Sequence, residues 1–454
     1  MIGLNGALSI ASQALSAQYA GLSVANNNIA NVNTPGYSRQ IVTLSAAALA
    51  QDGGSVSAGV TYGGYTSVRN NILDMAINDK TSDQASLQAQ SSALTGVNTD
   101  FSDTTSGIGA SMSTLFSNLS ALSTNPTNAA SRQTVLSATN GLVNAFHQAS
   151  ASLTGAGSAA NQQVVSTVAQ INQLTTQIAS INGQLSHVDN GSDGGALQDQ
   201  RDSLTNQLAG LTGVAQITTD TTPTLTTTGG SPLVIGSTAS KLQVMTGADG
   251  TAHVLDASGA DITTSLSGGT LGGVLTVRDK TLPTMIGYLS SLATQFAGAL
   301  NAAQASGTDM NGNQGAALLS IPAGSTNAAA SLKVAMTDPN GIALSSNGST
   351  GSSGNLANLL AVQTNALPSG ATPSSAYSSL VYSVGAAGAQ ASNDLTATSA
   401  SLTQLTAQRS TESGVSIDEE TTNLIRFQQG YQAAARVIST LSSCYTTLMN
   451  IGSN

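Results

Sequence analysis

The chain has 454 residues, 12 basic against 22 acidic side chains for a formal net charge of −10, and only 7% charged residues, where globular proteins usually carry roughly 25%. Nucleic acids and anionic membranes are gripped by clusters of Lys and Arg, so this balance argues against both as partners. The single cysteine, Cys444, excludes an internal disulfide framework, and no run approaches the roughly 20 apolar residues of a membrane span.

The opening "MIGLNGALSIASQAL" lacks the positive start and long apolar stretch of a secretory signal, so no cleavable leader is expected. Leu4, Leu8, Ala11, Leu15, Gln18, Leu22, Ala25 and Ile29 step by alternating four and three residues. That heptad rhythm puts a narrow apolar stripe along one helix face, with a polar fault at Gln18. The residue before a proline is pushed out of the α region, so Thr34-Pro35 stops the helix near Asn33. Gly36 then permits a turn. The amides of Asn26, Asn27, Asn28, Asn31 and Asn33 bring donors and acceptors but no titrating proton. They suit bonds to loose backbone ends or to a neighbouring surface better than catalysis.

Residues 68–101 are weakly periodic. Met112, Leu115, Leu119 and Leu122 predict a short helix, and "NPTN" at 125–128 a turn. Val135, Thr139, Leu142, Phe146 and Ala149 mark a further helix. Val164, Val168, Ile171, Leu174, Ile178, Ile181 and Leu185 mark a long one, broken by "DNGSDGG" at 189–195. Leu197, Leu204, Leu208 and Leu211 resume it until Gly213. From Val214 to about Val277 short runs ("VAQITT", "PLVIG", "KLQVM", "AHVLD", "GVLTV") alternate with Gly, Pro and Asp-Gly turns. Asp249-Gly250 between two such runs predicts a hairpin. Helix returns with Leu282, Met285, Leu289, Leu292, Phe296, Leu300 and Ala303. Residues 307–375 are rich in Gly, Ser and Asn, with a hairpin expected around "TDPNG" at 337–341. Leu380, Val384, Ala387, Ala391 and Leu395 begin a second long helical region. Leu424, Phe427, Tyr431, Ala434, Ile438, Leu441, Tyr445 and Leu448 form a second heptad seam.

The expected fold is mainly α, multidomain and nested. Long terminal helices in 1–45 and 412–454 pair as a coiled coil. A helical rod-like domain takes 46–212 and 281–411, and a small all-β domain is inserted at 213–280 and sits furthest out. Neither terminal stripe can bury itself alone, and an isolated helix is marginal in water. The pattern serves an intramolecular bundle and packing between subunits equally well.

No catalytic set emerges. His147, His187 and His253 lie in different segments, without a second ligand at metal spacing. "TDMNGNQG" (308–315) opens like a calcium loop but has Gln314 where Gly is required and Ser320 where Glu is. "GGTLGGV" (268–274) lacks the Lys-Ser/Thr of a phosphate loop, and "GIG" (107–109) lacks a dinucleotide fingerprint's third glycine. Asp418, Glu419 and Glu420 precede a strong helical run, where negative charge favours the helix dipole, and Ser416 stands at capping-box spacing from Glu419. Arg426 and Arg436 are expected on that helix's solvated face or in interchain pairs, and Cys444 in packing. No catalytic, cofactor-binding or metal-binding residue is assigned, and no cofactor.

Two long motifs carry a resemblance. "ANNNIANVNTPGYSRQ" (25–40) is similar to the N-terminal signature of bacterial flagellar axial proteins, the rod, hook and hook-associated group. "SGVSIDEETTNLIRFQQGYQAAARVISTL" (413–441) resembles the C-terminal signature of the same group. Tyr37-Ser38-Arg39-Gln40, "LQDQRDSLTNQLAGLTGV" (197–214) and "GGTLGGVLTVRDKTLP" (268–283) with "LATQFAGALNAAQASGTDMNGNQG" (292–315) resemble, within it, the hook-associated protein 1 family of hook–filament junctions. The last segment, "LSSCYTTLMNIGSN", departs from the family in being hydroxyl-rich.

The resemblance implies a structural role and no enzyme. It implies that the terminal helices pair and pack with copies of the same chain, while the β insert faces outward. The interface would be carried by Leu4, Leu8, Leu15, Leu22, Ile29, Asn27, Asn31, Asn33, Pro35, Gly36, Leu424, Phe427, Tyr431, Ile438, Leu441, Tyr445 and Leu448. The implied partners are copies of itself, hook protein, the next hook-associated protein, and an export chaperone on the C-terminal helix. The implied location is the extracellular flagellum, reached by type III export after a transient cytoplasmic stage. The terminal helices are expected to be mobile or disordered until assembled. Two other readings stand beside this one: another axial part, a hook or rod subunit, and more remotely an enzyme carried on the β insert.

Overall fold

A helix of 29 residues, α1 (Ile2–Ala30), opens the chain in the computed structural model, which describes residues 2–51, 54–101, 106–188, 194–219 and 222–452. Two strands follow, β1 (Gln40–Gln51) and β2 (Gly54–Ser67), antiparallel in register from Gln40↔Ser67 to Gln51↔Gly54. No strand is expected here from the sequence, and the boundary drawn at 45/46 falls inside β1. The Ala- and Ser-rich run is a poor strand former by composition. What holds it is the side of α1: Gly59, at φ +110°, leaves room for Ile10, whose Cγ2 would lie 3.3 Å from any added Cβ.

The helical body begins with α2 (Asn71–Phe101) and α3 (Ile108–Ala121). Next, α4 (Ala129–Leu185) runs unbroken for 57 residues, about 86 Å at 1.5 Å per residue. Asn128 caps it, its side chain accepting from Ser131 N at 2.8 Å. The two helices expected at 135–149 and 164–185 are therefore one, because the glycines between them do not interrupt the backbone ladder. Antiparallel to α4 lies α5 (Gly195–Leu211).

The β module holds β3 (Val214–Thr219), β4 (Thr222–Thr227), β5 (Pro232–Ile235) and β6 (Thr238–Ala239) in one sheet of that order. Beside it, β7 (Gln243–Thr246) and β8 (Ala252–Leu255) pair across Asp249-Gly250, the hairpin expected there, with Gly250 at φ +80°. "GVLTV" is not a strand. It runs from α6 (Gly269–Thr276) into the first residue of a π turn at Val277–Thr281, and the helix continues as α7 (Leu282–Ala305). Nearly every side of α6 is buried, so no alternating pattern exists to distinguish helix from strand.

After α7 come β9 (Leu319–Ser320), α8 (Ala328–Ser331), β10 (Lys333–Val334) and α9 (Leu356–Ala361). "TDPNG" makes a tight helical turn at Pro339–Gly341 instead of a hairpin, and the strand pair of this region is β9 with β10. Asp338 closes that turn by accepting from Asn340 N at 2.9 Å, which takes the backbone out of strand geometry. The chain ends in two long helices, α10 (Pro373–Ser413) and α11 (Ile417–Gly452).

Two apolar cores share α4. The first joins the ends of α2 and α10 to α3, the first half of α4, α7 and residues 318–367, around Phe116 and Phe296 packed edge-to-face at 6.1 Å. The second joins the latter half of α4 to α6 and the β module. From one end to the other the order is the α1–α11 pair, a polar junction, the second core with its β module, then the first core. The insert therefore does not sit furthest out. It lies along α4 from Asn161, which holds Ala252, to Asn182, which holds Gly236. Being most deeply nested in the chain does not place a segment furthest in space.

Candidate functional site

The chain's two ends meet as an antiparallel helix pair. Gly21 faces the Phe427 ring, and Gly430 faces Gln18. The polar fault of the N-terminal stripe thus lies over a glycine, where its stem fits. Ala11, Ala17, Val24 and Ala25 are buried on α1. The larger residues of its predicted stripe are left partly open: Leu4, Leu15, Leu22 and Ile29 are half-buried and Leu8 is 43% exposed. On α11, Ala434 is buried, and Leu424, Phe427, Ile438 and Leu441 are half-buried. Tyr431 is exposed, and Tyr445 and Leu448 reach 48% and 58% exposure near the end of α11. The pair contact is thus made largely by small residues, which leaves much of the apolar stripe uncovered.

The turn after α1 is built by amides. Asn31 Nδ2 donates to the Asn27 carbonyl at 2.9 Å, and Thr34 Oγ1 donates to Asn31 Oδ1 at 3.1 Å. Tyr37 N donates to the Thr34 carbonyl at 3.2 Å across Pro35-Gly36. Gly36, at φ +81°, supplies the positive φ needed at that turn position. Asn27, Asn33, Pro35 and Gly36 are exposed. The amide that the fold uses most is Asn28, absent from the predicted interface set. Fully buried, it donates to the Gln40 carbonyl at 2.9 Å and accepts from Gln40 N at 3.0 Å and from Tyr37 Oη at 2.8 Å. Its place in "NNNIANVN" carries no distinguishing mark, since five amides stand within eight residues.

Below this turn a polar junction ties five segments together. Arg39 pairs with Glu419 of α11, and its backbone N–H donates to the Ser413 carbonyl at 2.8 Å. The Glu419 carboxylate thus serves an ion pair, while the Ser416 half of the expected capping box forms as a long contact, Glu419 N donating to Ser416 Oγ at 3.5 Å. Arg69 forks between Asp199 at 2.5 Å and Asp202, both on α5. Arg409 holds Asp74 at 2.8 Å and donates to the Gly36 carbonyl at 3.2 Å. Ser38 N donates to Asp199 at 3.2 Å, and Asn70 to Glu412 at 2.7 Å. Four of the eight arginines (Arg39, Arg69, Arg201, Arg409) gather here in a chain otherwise poor in charge. Burial pushes the Asp202 carboxyl above its ordinary range, opposed by Arg201 and Arg69. Burial, aided by Asp199 and Glu420, raises the Tyr37 phenol to about 12.

An open cleft of about 580 Å³ borders this junction, lined by Arg69, Asp74, Asp202 and Arg409 among others. Its carboxylates are held by arginines, and the histidines are elsewhere. His147 meets the Leu332 carbonyl, His187 the Gly183 carbonyl, and His253 Asp261. Among the described residues no group of three or more His, Cys, Asp or Glu gathers at metal-binding distance, and no helix is long and apolar enough to cross a membrane. The arrangement is a structural joint between a half-covered helix pair and the two-core helical body.

Comparisons with known proteins follow the same division. Residues 94–319 match the family model of the flagellar hook-associated protein FlgK helical domain. Residues 8–37 match that of the flagella basal body rod protein, and residues 407–451 that of the flagellar basal body rod FlgEFG protein C-terminal region. Flagellar hook-associated protein 1 of Escherichia coli (strain K12) is 28% identical, over 96% of this chain and 98% of the relative. The Salmonella typhimurium protein of that name is 33% identical over 68% of this chain and 58% of the relative. The Bacillus subtilis one is 27% identical over 95% of each. The solved structure of the flagellar hook junction protein FlgK from Burkholderia pseudomallei superposes with a TM-score of 0.65 at 18% identity, covering 74% of this chain and all of that one, a likeness of fold. With both ends, the helical body and nearly the full length matched, this chain belongs to the flagellar hook-associated protein 1 family.

Proposed function

We propose that this chain is the adaptor seated between the flagellar hook and filament, a structural subunit without catalysis, incorporated through α1 and α11. The observation that carries the reading is the helix pair itself: two flagellar end motifs fold into one element whose apolar stripe is only half covered. Leu8, Tyr431, Tyr445 and Leu448 are the exposed part of that stripe, and an exposed apolar strip of this kind calls for a partner. Neighbouring copies cover it in the assembly, with Leu4, Leu15, Leu22, Ile29, Leu424, Phe427, Ile438 and Leu441 completing the contact. Asn27, Asn31, Asn33, Pro35 and Gly36 offer uncharged hydrogen bonds on the adjoining turn. Before assembly the chain passes through the flagellar type III apparatus, with a chaperone over α11, and the small-residue pair contact lets α1 and α11 separate for that passage.

Deleting residues 424–448 tests this. The truncated chain is expected to lose incorporation and motility while its β module stays folded; normal motility would refute the reading. Electron microscopy of a null strain separates the rival axial roles. Hooks without filaments support the junction, whereas absent hooks would make the chain a hook or rod subunit.

A further inference from the structure

Between Leu153 and Ala160 the long helix α4 carries no buried side chain, and two of its six intervening residues are glycines, Gly155 and Gly157. Leu153 belongs to the first core and Ala160 to the second. At the same level the α6–α7 crossing widens into the π turn, with Asp279 and Lys280 exposed. The two crossings are side by side, since Leu282 Cδ1 lies 3.9 Å from where a Cβ on Gly157 would stand. Two further helices cross here as a pair, Gly388 facing Leu94 and Gln84 Nε2 donating to Ser399 Oγ at 2.9 Å: α2 has no buried side chain from Asp83 to Ala93, and α10 buries only the small Ala391 at this level. Glycine inside a helix lowers its resistance to unwinding, and π turns and glycines are where helices kink. On the second-core side Arg278 is fixed, donating to the Ala252 carbonyl at 2.6 Å and to Asn161 Oδ1 at 3.1 Å.

We infer that this plane is a hinge. The first core swings as one body against the β-bearing half by bending of α4 at 154–159 and opening of the π turn at 279–281, with the α2–α10 pair flexing alongside. The outer body of a subunit thereby tilts while its terminal helices keep their place. The inference does not depend on the junction role.

Amide exchange in the full chain tests it. The amides of 154–161 are expected to exchange at least about tenfold faster than those of 140–150 and 165–178, which anchor the cores. Gly155→Ala with Gly157→Ala is expected to slow them by about fivefold for each glycine replaced. Neither substitution meets a crowding atom, so the variant folds. In a Cys444→Ser background, spin labels at Gln133→Cys and Gln177→Cys, 44 residues apart, report the bend directly. A straight helix places them about 66 Å apart. A broad distance distribution that narrows in the double-alanine chain supports the hinge. Even protection from 140 to 178, or the same narrow distribution in both chains, overturns it.

Discussion

Asn28 and Tyr37 show what single side chains do at the head of this molecule. The Asn28 amide gives Gln40 both a donor and an acceptor, replacing the partner strand that Gln40 lacks on that side. A buried backbone group left without such a partner costs about 1–3 kcal/mol, so Asn28 is the fastening between α1 and β1. Tyr37 hangs on the same oxygen, and burial lifts its phenol from 10.0 to about 12. A group protonated more tightly in the folded state stabilises it below the unfolded value and loses that effect as pH climbs to the folded value. Stability is therefore expected to fall between pH 10 and 12, less steeply for Tyr37→Phe. Absorbance titration should show a tyrosine ionisation near pH 12 that Tyr37→Phe removes; identical titration curves for the two chains would contradict it.

The helix pair and α6 display the same logic one level up. Heptad spacing marks a stripe on each terminal helix, since period alone reports which residues share a face, but the buried face of α1 also takes in Ala17, Gly21 and Val24, which stand outside that stripe. The spacing cannot report that the partners meet at glycines. A methyl at Gly21 would lie 2.5 Å from Phe427 Cε1. Gly21→Ala is expected to weaken the pair by about 1–3 kcal/mol of overpacking, less the roughly 1 kcal/mol that alanine adds to helix propensity. Amide exchange along α1 should quicken severalfold and recover when Phe427→Leu is added. Unchanged exchange in the single variant would sink the account. In α6, Gly273 brings the helix so close to α2 that a Cβ would stand 2.2 Å from the Ser86 carbonyl oxygen. That approach is why "GVLTV" is helical despite its Val content, and no property of the five residues announces it.

Across the whole molecule, half of the arginines gather at one junction. Arg69 reaches Asp199 and Asp202, 130 and 133 residues away, with its side chain only 11% exposed. Arg69→Met leaves two carboxylates facing each other in a semi-buried site, a loss of about 2–4 kcal/mol on the scale of broken buried pairs. Limited proteolysis should then cut within 36–70 while 108–188 stays intact, because the damage lies at the joint and not in either core. Equal resistance to protease in both proteins would argue that the junction is held by other contacts. The sequence alone determined that a long helix with apolar periodicity stands at each end, the Pro-Gly stop and the Asp-Gly hairpin of the β module, because periodicity and turn chemistry are local properties. Only tertiary structure decided that Asn28 among five amides is buried, that α4 is continuous through its glycines, and that the insert lies alongside the rod. Those outcomes depend on surfaces brought together from residues tens to hundreds of positions apart, and no short window of sequence contains both sides.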